Sequence, residues 1–317
     1  MAHDDLLSTA HQLLDEIDRW VLGKRRQATL LLATWLAGGH VLLDDVPGVA
    51  KTRLARTVAR LTDLSFARVQ GTPDLLPQDI TGGPIYNMKT GELVFRPGPV
   101  FHHIVLVDEI NRTTPRTQAA LLECMEERQV TADGITHPLP EPFLVIATQN
   151  PVEMEGTFPL PEAELDRFLI SLSLGYPDPA DERRLVDNFS RQEDWSQATP
   201  VLDGEGLKRL TAAAQAVSLN DAALDYLVAV CRQTREHPLV ALGASPRTTV
   251  RFAQAARSWA FLDGRTFVTP DDIKLLAPYV LGHRLQPSSA AAVSRVSGRL
   301  LVEQVLESVP VPVEQTP

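Results

Sequence analysis

"HVLLDDVPGVAKTRLA", residues 40–55, decides the fold of this 317-residue chain. An apolar run ends in a loop, and the loop ends in Lys51-Thr52 ahead of the periodic segment TRLARTVARLTD. A strand, a tight loop and a helix in that order aim several backbone N–H groups at one point. The helix dipole adds positive potential there, which suits a phosphate. The common phosphate-loop pattern is G-x-x-x-x-G-K-[ST]. Aligned on Lys51-Thr52, its first glycine is replaced by Asp45 and its second by Ala50. A carboxylate aimed at phosphates would repel them, so Asp45 is expected at the strand end with its side chain turned away. Ala50 is the milder departure, since alanine is tolerated where the backbone is near-helical. The loop Val46, Pro47, Gly48, Val49 and Ala50 would wrap the phosphates. Lys51 would carry charge to the β and γ phosphates, and Thr52 a hydroxyl to magnesium. The competing reading is an ordinary Pro-Gly turn.

The rest of the chain favours the phosphate loop. Residues 5–37 read as two helices separated near Gly23. Then apolar runs alternate with amphipathic segments. HVLLDD, FARVQ, HHIVLVDE, PFLVIATQN and RFLISLSL are five strand candidates. Near-continuous apolar strands alternating with helices indicate a parallel sheet covered on both faces. Two stretches interrupt the alternation. Residues 84–101 turn at Lys89-Thr90-Gly91, and residues 129–143 turn at Asp133-Gly134, a two-residue hairpin signal. Both read as hairpins inserted into the α/β core. After GYPDPADERR (175–184) the pattern is almost wholly helical, at 179–190, 205–216, 220–236, 246–263 and 270–281. Two domains are expected, 1–176 and 177–317. SVPVPVEQTP reads as a frayed tail.

Bulk properties narrow the function class. A net charge of −10 argues against wrapping nucleic acid, which requires a basic face. Cys124 and Cys231 read as two buried thiols rather than a disulfide framework. The N-terminus carries acids where a signal peptide would carry lysine or arginine. The most apolar stretch, Ala28 to Leu43, is broken by Gly38, Gly39 and His40 and is too short to span a membrane. A cytoplasmic protein is expected.

Four further stretches carry candidate chemistry. HHIVLVDEINR (102–112) delivers Asp108 and Glu109 to the carboxyl end of a strand, where parallel sheets place active residues. Asp108 suits a magnesium contact, and Glu109 suits polarising a water. His102 and His103 read as solvated or capping residues rather than metal ligands. VIATQNPVE (145–153) places Asn150 at another strand end, where a neutral amide can orient a water. If the two strands are neighbours, Asn150 sits beside the acids. LPEAELDRFL (160–169) carries Arg167, which taken alone reads better as a surface partner of Glu164, three residues back. GASPRTTVRF (243–252) places Ser245 as N-cap, Pro246 as first helical residue and Arg247 in the first turn. A cation opposes the dipole there, so Arg247 either meets a partner anion or stands solvated at a small cost.

Together these stretches resemble the MoxR family of AAA+ ATPases. DDVPGVAKT is similar to its Walker A and HHIVLVDEINR to its Walker B. RVQGTPDLLPQDITG (68–82) and LLECMEERQVT (121–131) resemble segments typical of the family. ATQNP, GTFPLPEAELDRF and GASPRT resemble its sensor 1, arginine-finger and sensor 2 regions. The resemblance spans about residues 15–285. It implies an αβα P-loop NTPase core with a five-stranded parallel sheet, an all-α C-terminal lid, ATP and Mg²⁺ between them, and a ring, usually hexameric. It makes the 84–101 hairpin an insert in helix 2 and the 129–143 hairpin an insert before sensor 1, both facing pore or partner. It assigns Lys51 and Thr52 to phosphate and magnesium, Asp108 to magnesium, Glu109 to catalysis and Asn150 to sensor 1. Arg167 becomes a finger acting in a neighbour's site, and Arg247 links lid position to the γ-phosphate. VLGKRRQ (21–27) matches the adenine-side segment, with Lys24 where glutamine is common. Gln70 is a candidate switch residue holding Glu109. The implied activity is ATP hydrolysis driving remodelling or maturation of a protein client, with a von Willebrand factor A domain protein as a plausible partner and no nucleic acid. The alternatives are a chelatase-like or helicase-like motor subunit and a nucleotide-gated binding module with little hydrolysis. A small-molecule kinase has no use for such a finger and lid.

Overall fold

A computed structural model describes residues 3–45, 48–132, 134–150, 156–191, 197–294 and 296–312. Val46 and Pro47 of the expected phosphate loop, and Asp133 of the second hairpin turn, lie outside the described residues. Two helices open the chain, α1 (His3–Trp20) and α2 (Arg25–Leu36). The core follows as β1 (Val41–Asp44), α3 (Lys51–Leu61), β2 (Phe66–Gln70), α4 (Pro77–Thr81), β3 (Gly82–Asn87), β4 (Glu92–Pro97) and β5 (Ile104–Asp108). It continues through α5 (Pro115–Glu127), β6 (Gln129–Ala132), β7 (Ile135–Pro138), β8 (Leu144–Gln149), α6 (Glu162–Leu165) and β9 (Ile170–Leu172).

Strands β2-β5-β8-β1-β9 form one parallel sheet in that order. The five strand candidates are these five strands. All five residues of β5 are buried, as a strand covered on both faces requires. The register pairs Gln70 with Asp108 and Asp44 with Gln149, so the carboxyl ends of four strands finish almost level. On one face, Leu54, Ala55, Val58 and Leu61 of α3 recur at three- and four-residue spacing and bury against the sheet. On the other, Leu121, Leu122 and Met125 of α5 pack on Val105, Val107 and Val145.

Both hairpins form. The β3–β4 ribbon leaves Tyr86, Met88 and Leu93 exposed, and the β6–β7 ribbon is tied to it by a stack of Phe95 on His137, ring centroids 4.1 Å apart.

The C-terminal half comprises α7 (Pro179–Arg191), α8 (Gly204–Gln215), α9 (Asp221–Glu236), β10 (Val240–Leu242), α10 (Pro246–Leu262) and α11 (Pro270–Leu281). It ends with β11 (Gln286–Pro287), α12 (Ser289–Val293) and α13 (Gly298–Ser308). The five expected helices are present. The β10–β11 ribbon and α12–α13 are additions to the sequence reading. Strands of two or three residues have no alternation to read, and α13 follows a Ser/Ala-rich stretch that resembles a loop. Yet α13 buries Leu301, Val302 and Val305, so the helical part of the chain runs further than expected. Residues 313–317 of the expected tail lie outside the described residues.

The two N-terminal helices are not an appendage. Helix α2 packs on α8 and α10, and α1 on α3 and α8, within one apolar cluster that also includes α11 and α13. A buried polar clamp adds to this: Arg284, 7% exposed, donates to Asp166 Oδ1 at 2.7 Å and to the Phe168 carbonyl at 2.6 Å. Cys124 and Cys231 are buried free thiols, and burial pushes the Cys124 thiol up to about 12. No helix among the described residues is long and apolar enough to cross a membrane.

Candidate active site

The level carboxyl ends of β1, β2, β5 and β8 open onto one cleft of about 350 Å³. Gly48, Ala50, Lys51, Thr52, Arg53, Arg68, Gln70, Asp108, Glu109, Thr148 and Asn150 line it. The structure thus brings Lys51, Thr52, Asp108, Glu109 and Asn150 together, with Gly48 and Ala50 from the loop. Val49 is buried behind it at 4% exposure.

The loop closes through Lys51, whose Nζ donates to the Asp45 carbonyl at 2.9 Å. The Asp45 carboxylate points away from the cleft, as the phosphate reading requires. It accepts from the Ser173 hydroxyl at 2.6 Å and from the Leu174 and Gly175 amides at 2.5 and 3.2 Å. Ala50 corrects the sequence reading. Its backbone is left-handed, φ 66° and ψ 21°, not near-helical. The glycine of the pattern serves that conformation, and a side chain there costs roughly 1 kcal/mol.

Glu109 is also left-handed, at φ 57°. Two contacts hold it. Its amide donates to Thr148 Oγ1 at 2.9 Å, and Gly71 presses so close that a Cβ there would lie 2.3 Å from the Glu109 carbonyl. Such strain concentrates where a side chain must be aimed.

Both acids have internal partners. Arg68 Nε donates to Asp108 Oδ2 at 2.6 Å and Arg68 Nη2 to Gln70 Oε1 at 3.2 Å. Gln70 Nε2 donates in turn to Glu109 Oε2 at 3.1 Å, and Arg112 Nη1 reaches the same oxygen at 3.2 Å. Gln70 is therefore where a switch on Glu109 would be. The sequence gives no signal for Arg68, because nothing in a strand pattern says which side chain crosses to a neighbouring strand. His102 and His103 stand apart, on the Pro99 carbonyl and the Ser65 hydroxyl.

Arg167 and Arg247 do not reach this cleft. Both bind Glu126, near the C-terminal end of α5: Arg167 Nη1 lies 2.5 Å from Oε2, and Arg247 holds Oε1. The hydrogen bond from Arg247, with Arg167 beside it, holds the Glu126 carboxyl below the usual carboxylate range. The local pair with Glu164 gives way to this longer-range one. Arg247 differs from the expectation that it would serve the nucleotide from the lid. Ser245 caps α10 as expected, but Ser245 and Thr248 both donate to Asp166 and pin the helix start beside the segment that carries Arg167. Its partner anion is a carboxylate of the same chain. Arg128, Arg167, Arg247, Arg251 and Arg284 share a small cavity with only Glu126 and Asp166 as acids. Glu126 and Asp166 lie in the 121–131 and 160–169 segments, where nothing marks them as partners of distant arginines, and Arg284 lies outside every segment that signals chemistry.

The AAA family, "ATPase family associated with various cellular activities", matches residues 40–170, and the AAA lid domain matches residues 232–305. The chain is 46% identical over 313 residues to the uncharacterized protein YeaC of Bacillus subtilis, covering 99% of this chain and 98% of that one. It is 41% identical to Chaperone MoxR1 of Mycobacterium tuberculosis, covering 96% and 82%. It is 35% identical to Protein MoxR of Methylorubrum extorquens, covering 94% and 93%. Among solved structures, a provisionally assigned ATPase from Cytophaga hutchinsonii superposes with a TM-score of 0.91 at 36% identity, covering 98% and 97%. With likeness of this extent in sequence and in structure, the chain belongs to the MoxR family of AAA+ ATPases.

Proposed function

We propose that this protein binds and hydrolyses ATP with magnesium, in a ring usually of six subunits, to remodel or mature a protein client in the cytoplasm. One observation carries the reading. Lys51, Thr52, Asp108, Glu109 and Asn150 line one cleft, while Arg167 and Arg247 sit together elsewhere on one chain-internal carboxylate. Acids in the cleft and arginines facing another way support a site that a second copy completes. Loop backbone at 46–50 and Lys51 hold the phosphates, and the strand-end position of Asp45 removes its charge from them. The Thr52 hydroxyl and the Asp108 carboxylate are hard oxygen donors, which suit magnesium. The ion, when bound, neutralises charge on the phosphate oxygens. Glu109 accepts a proton from the attacking water, and Asn150 orients that water. Arg167, with Arg247 beside it, stabilises charge developing in the neighbouring subunit's site. A finger of this kind is worth ~10³–10⁵ in rate.

Exposed Tyr86, Met88 and Leu93 on the β3–β4 hairpin suit a protein client, a von Willebrand factor A domain protein among the candidates. The net charge of −10 fits a protein client better than nucleic acid. One observation favours a second reading, a nucleotide-gated module with slow turnover: Arg68, Gln70 and Arg112 already hold Asp108 and Glu109.

Mixed rings test the main reading. Arg167→Ala should abolish turnover, and mixing it with Lys51→Ala should restore part of it, because each variant supplies what the other lacks. Phosphate release that stays at the Arg167→Ala level in the mixture would sink action in trans. A wild-type ring that binds ATP but releases no phosphate would favour the gated module.

A further inference from the structure

We infer that Asp45 is a positioning residue that couples the lead into the lid to the phosphate-binding lysine. This rests on the proposed nucleotide site and adds a role that no part of that reading assigns.

Asp45 stands where the common phosphate loop has glycine, and its carboxylate is buried at 4% exposure. A buried carboxylate is retained only where its oxygens are satisfied. Here three donors come from one short segment: the Ser173 hydroxyl and the Leu174 and Gly175 amides. That segment runs from the end of β9 toward α7. Its carbonyls are held from the other side by Lys24, itself 4% exposed, whose Nζ reaches the Leu174 and Gly175 oxygens at 2.8 and 3.1 Å. Gln27 adds a third contact, Nε2 to the Leu174 oxygen at 3.3 Å. The peptides of 174 and 175 are thus gripped by their N–H groups on Asp45 and by their C=O groups on the adenine-side segment.

The backbone of Asp45 has the opposite allegiance. Its amide donates to the Gln149 carbonyl at 3.2 Å, one residue before Asn150, and its carbonyl accepts from Lys51 Nζ at 2.9 Å. One residue therefore touches the lid lead through its side chain and the phosphate lysine through its main chain. A glycine could make the second contact and not the first. A shift of 173–175 pulls the carboxylate, and with it the carbonyl that aims Lys51. Conversely, a phosphate drawing Lys51 forward tightens or slackens the grip on the Leu174 and Gly175 amides.

The test compares the full-length wild type with Asp45→Gly, Asp45→Asn and Ser173→Ala. Asp45→Gly restores the common pattern and removes the carboxylate. Asp45→Asn keeps one acceptor in nearly the same shape, and Ser173→Ala removes one donor without touching the loop. ADP binding, steady-state ATP turnover and amide exchange at Leu174 and Gly175, with and without ADP, are read for each. In the wild type, ADP changes exchange at those two amides. In Asp45→Gly, ADP binds within about threefold of wild type, the exchange response is lost, and kcat falls about tenfold, the scale of one charge-assisted hydrogen bond. KM moves much less than kcat. Asp45→Asn and Ser173→Ala fall between, and Asp45→Asn combined with Ser173→Ala is less damaging than the product of the two effects. Wild-type kcat and an intact exchange response in Asp45→Gly overturn the inference. So does a loss of ADP binding and turnover that follows only the folded fraction. If Asp45→Gly does not fold, wild-type behaviour of Asp45→Asn and Ser173→Ala overturns it equally. A wild type that binds ADP without any response at 174 and 175 defeats the coupling alone. A wild type that binds no ADP defeats the nucleotide reading and this inference with it.

Discussion

Removing Arg68 should make the cleft take magnesium more readily. The Asp108 side chain is 10% exposed and its Oδ2 is held by Arg68 Nε at 2.6 Å. A cation bound by Asp108 must take the place of that guanidinium. Arg68 is 44% exposed, so solvent screens the pair and its contribution lies toward the surface end of the range, about 1 kcal/mol. At 1.4 kcal/mol per tenfold that is about fivefold in the half-saturating magnesium concentration. The assay titrates ADP-loaded protein with Mg²⁺ and follows a fluorescent ADP analogue, so hydrolysis does not enter. Arg68→Ala should saturate at about fivefold lower Mg²⁺. Arg68→Lys, which keeps the charge but not the fork, should lie between. Raising ionic strength should narrow the gap between wild type and variant, because a half-exposed pair is screened. An unchanged or higher half-saturation in Arg68→Ala would refute the reasoning, since the pair would then not compete with the ion.

Two further outcomes follow from backbone and burial. Ala50→Gly relieves a left-handed alanine, φ 66°, worth roughly 1 kcal/mol, of which the freer unfolded glycine returns part; the melting temperature should rise by about 1–3 °C, and a fall would show that Ala50 packs against something its strain does not reveal. His40 is buried between the Met125 carbonyl and the Val145 amide, and burial, with Arg128 nearby, holds its ring well below the ordinary histidine range. The folded chain therefore keeps His40 neutral while the unfolded chain takes up a proton. Its contribution is complete above about pH 6.5 and is lost as pH falls below it, at up to about 1.4 kcal/mol per pH unit. His283 adds in the same sense. Unfolding free energies measured between pH 7 and pH 5 should fall less steeply in His40→Gln than in wild type, and parallel slopes would remove His40 from the acid response.

The parallel sheet was legible because its strands are continuous apolar runs, and their carboxyl ends could be counted to Asp108, Glu109 and Asn150. Neighbouring strands then bring those residues together, so β5 beside β8 sufficed to place Asn150 with the acids. Contacts that depend on long side chains crossing between elements were not legible. Arg68 could have faced solvent, and only the structure shows it on Asp108. Arg167 read locally as a partner of Glu164, yet it reaches Glu126, 41 positions earlier in the chain. Ala50 differs for another reason: alanine is tolerated where the backbone is near-helical, but residue type alone does not report φ, and here φ is 66°. Asp45 was legible in one respect only. Charge repulsion said where its carboxylate could not point, but not that Ser173, Leu174 and Gly175 would receive it.

Burial separates the contacts that form a frame from those that can be exchanged. The Asp45 carboxylate with its three donors and the Arg284 guanidinium are buried, and leaving a buried charge without its partner costs several kcal/mol. Such contacts pass on a displacement rather than exchange partners. The pairs that occupy the chemical groups are different in kind. Arg68, Arg112 and Arg247 are each more than two-fifths exposed, and Arg167 nearly a third. Pairs of that exposure contribute about 1 kcal/mol or less. A metal ion, a nucleotide phosphate or a neighbouring subunit can displace them at modest cost. Four of the groups to which the proposed function gives chemistry, Asp108, Glu109, Arg167 and Arg247, are held by the weak pairs. Under the proposed function, that division would let a subunit satisfy its own charges when alone and give them up on binding nucleotide and neighbour, without unfolding the frame that aims them.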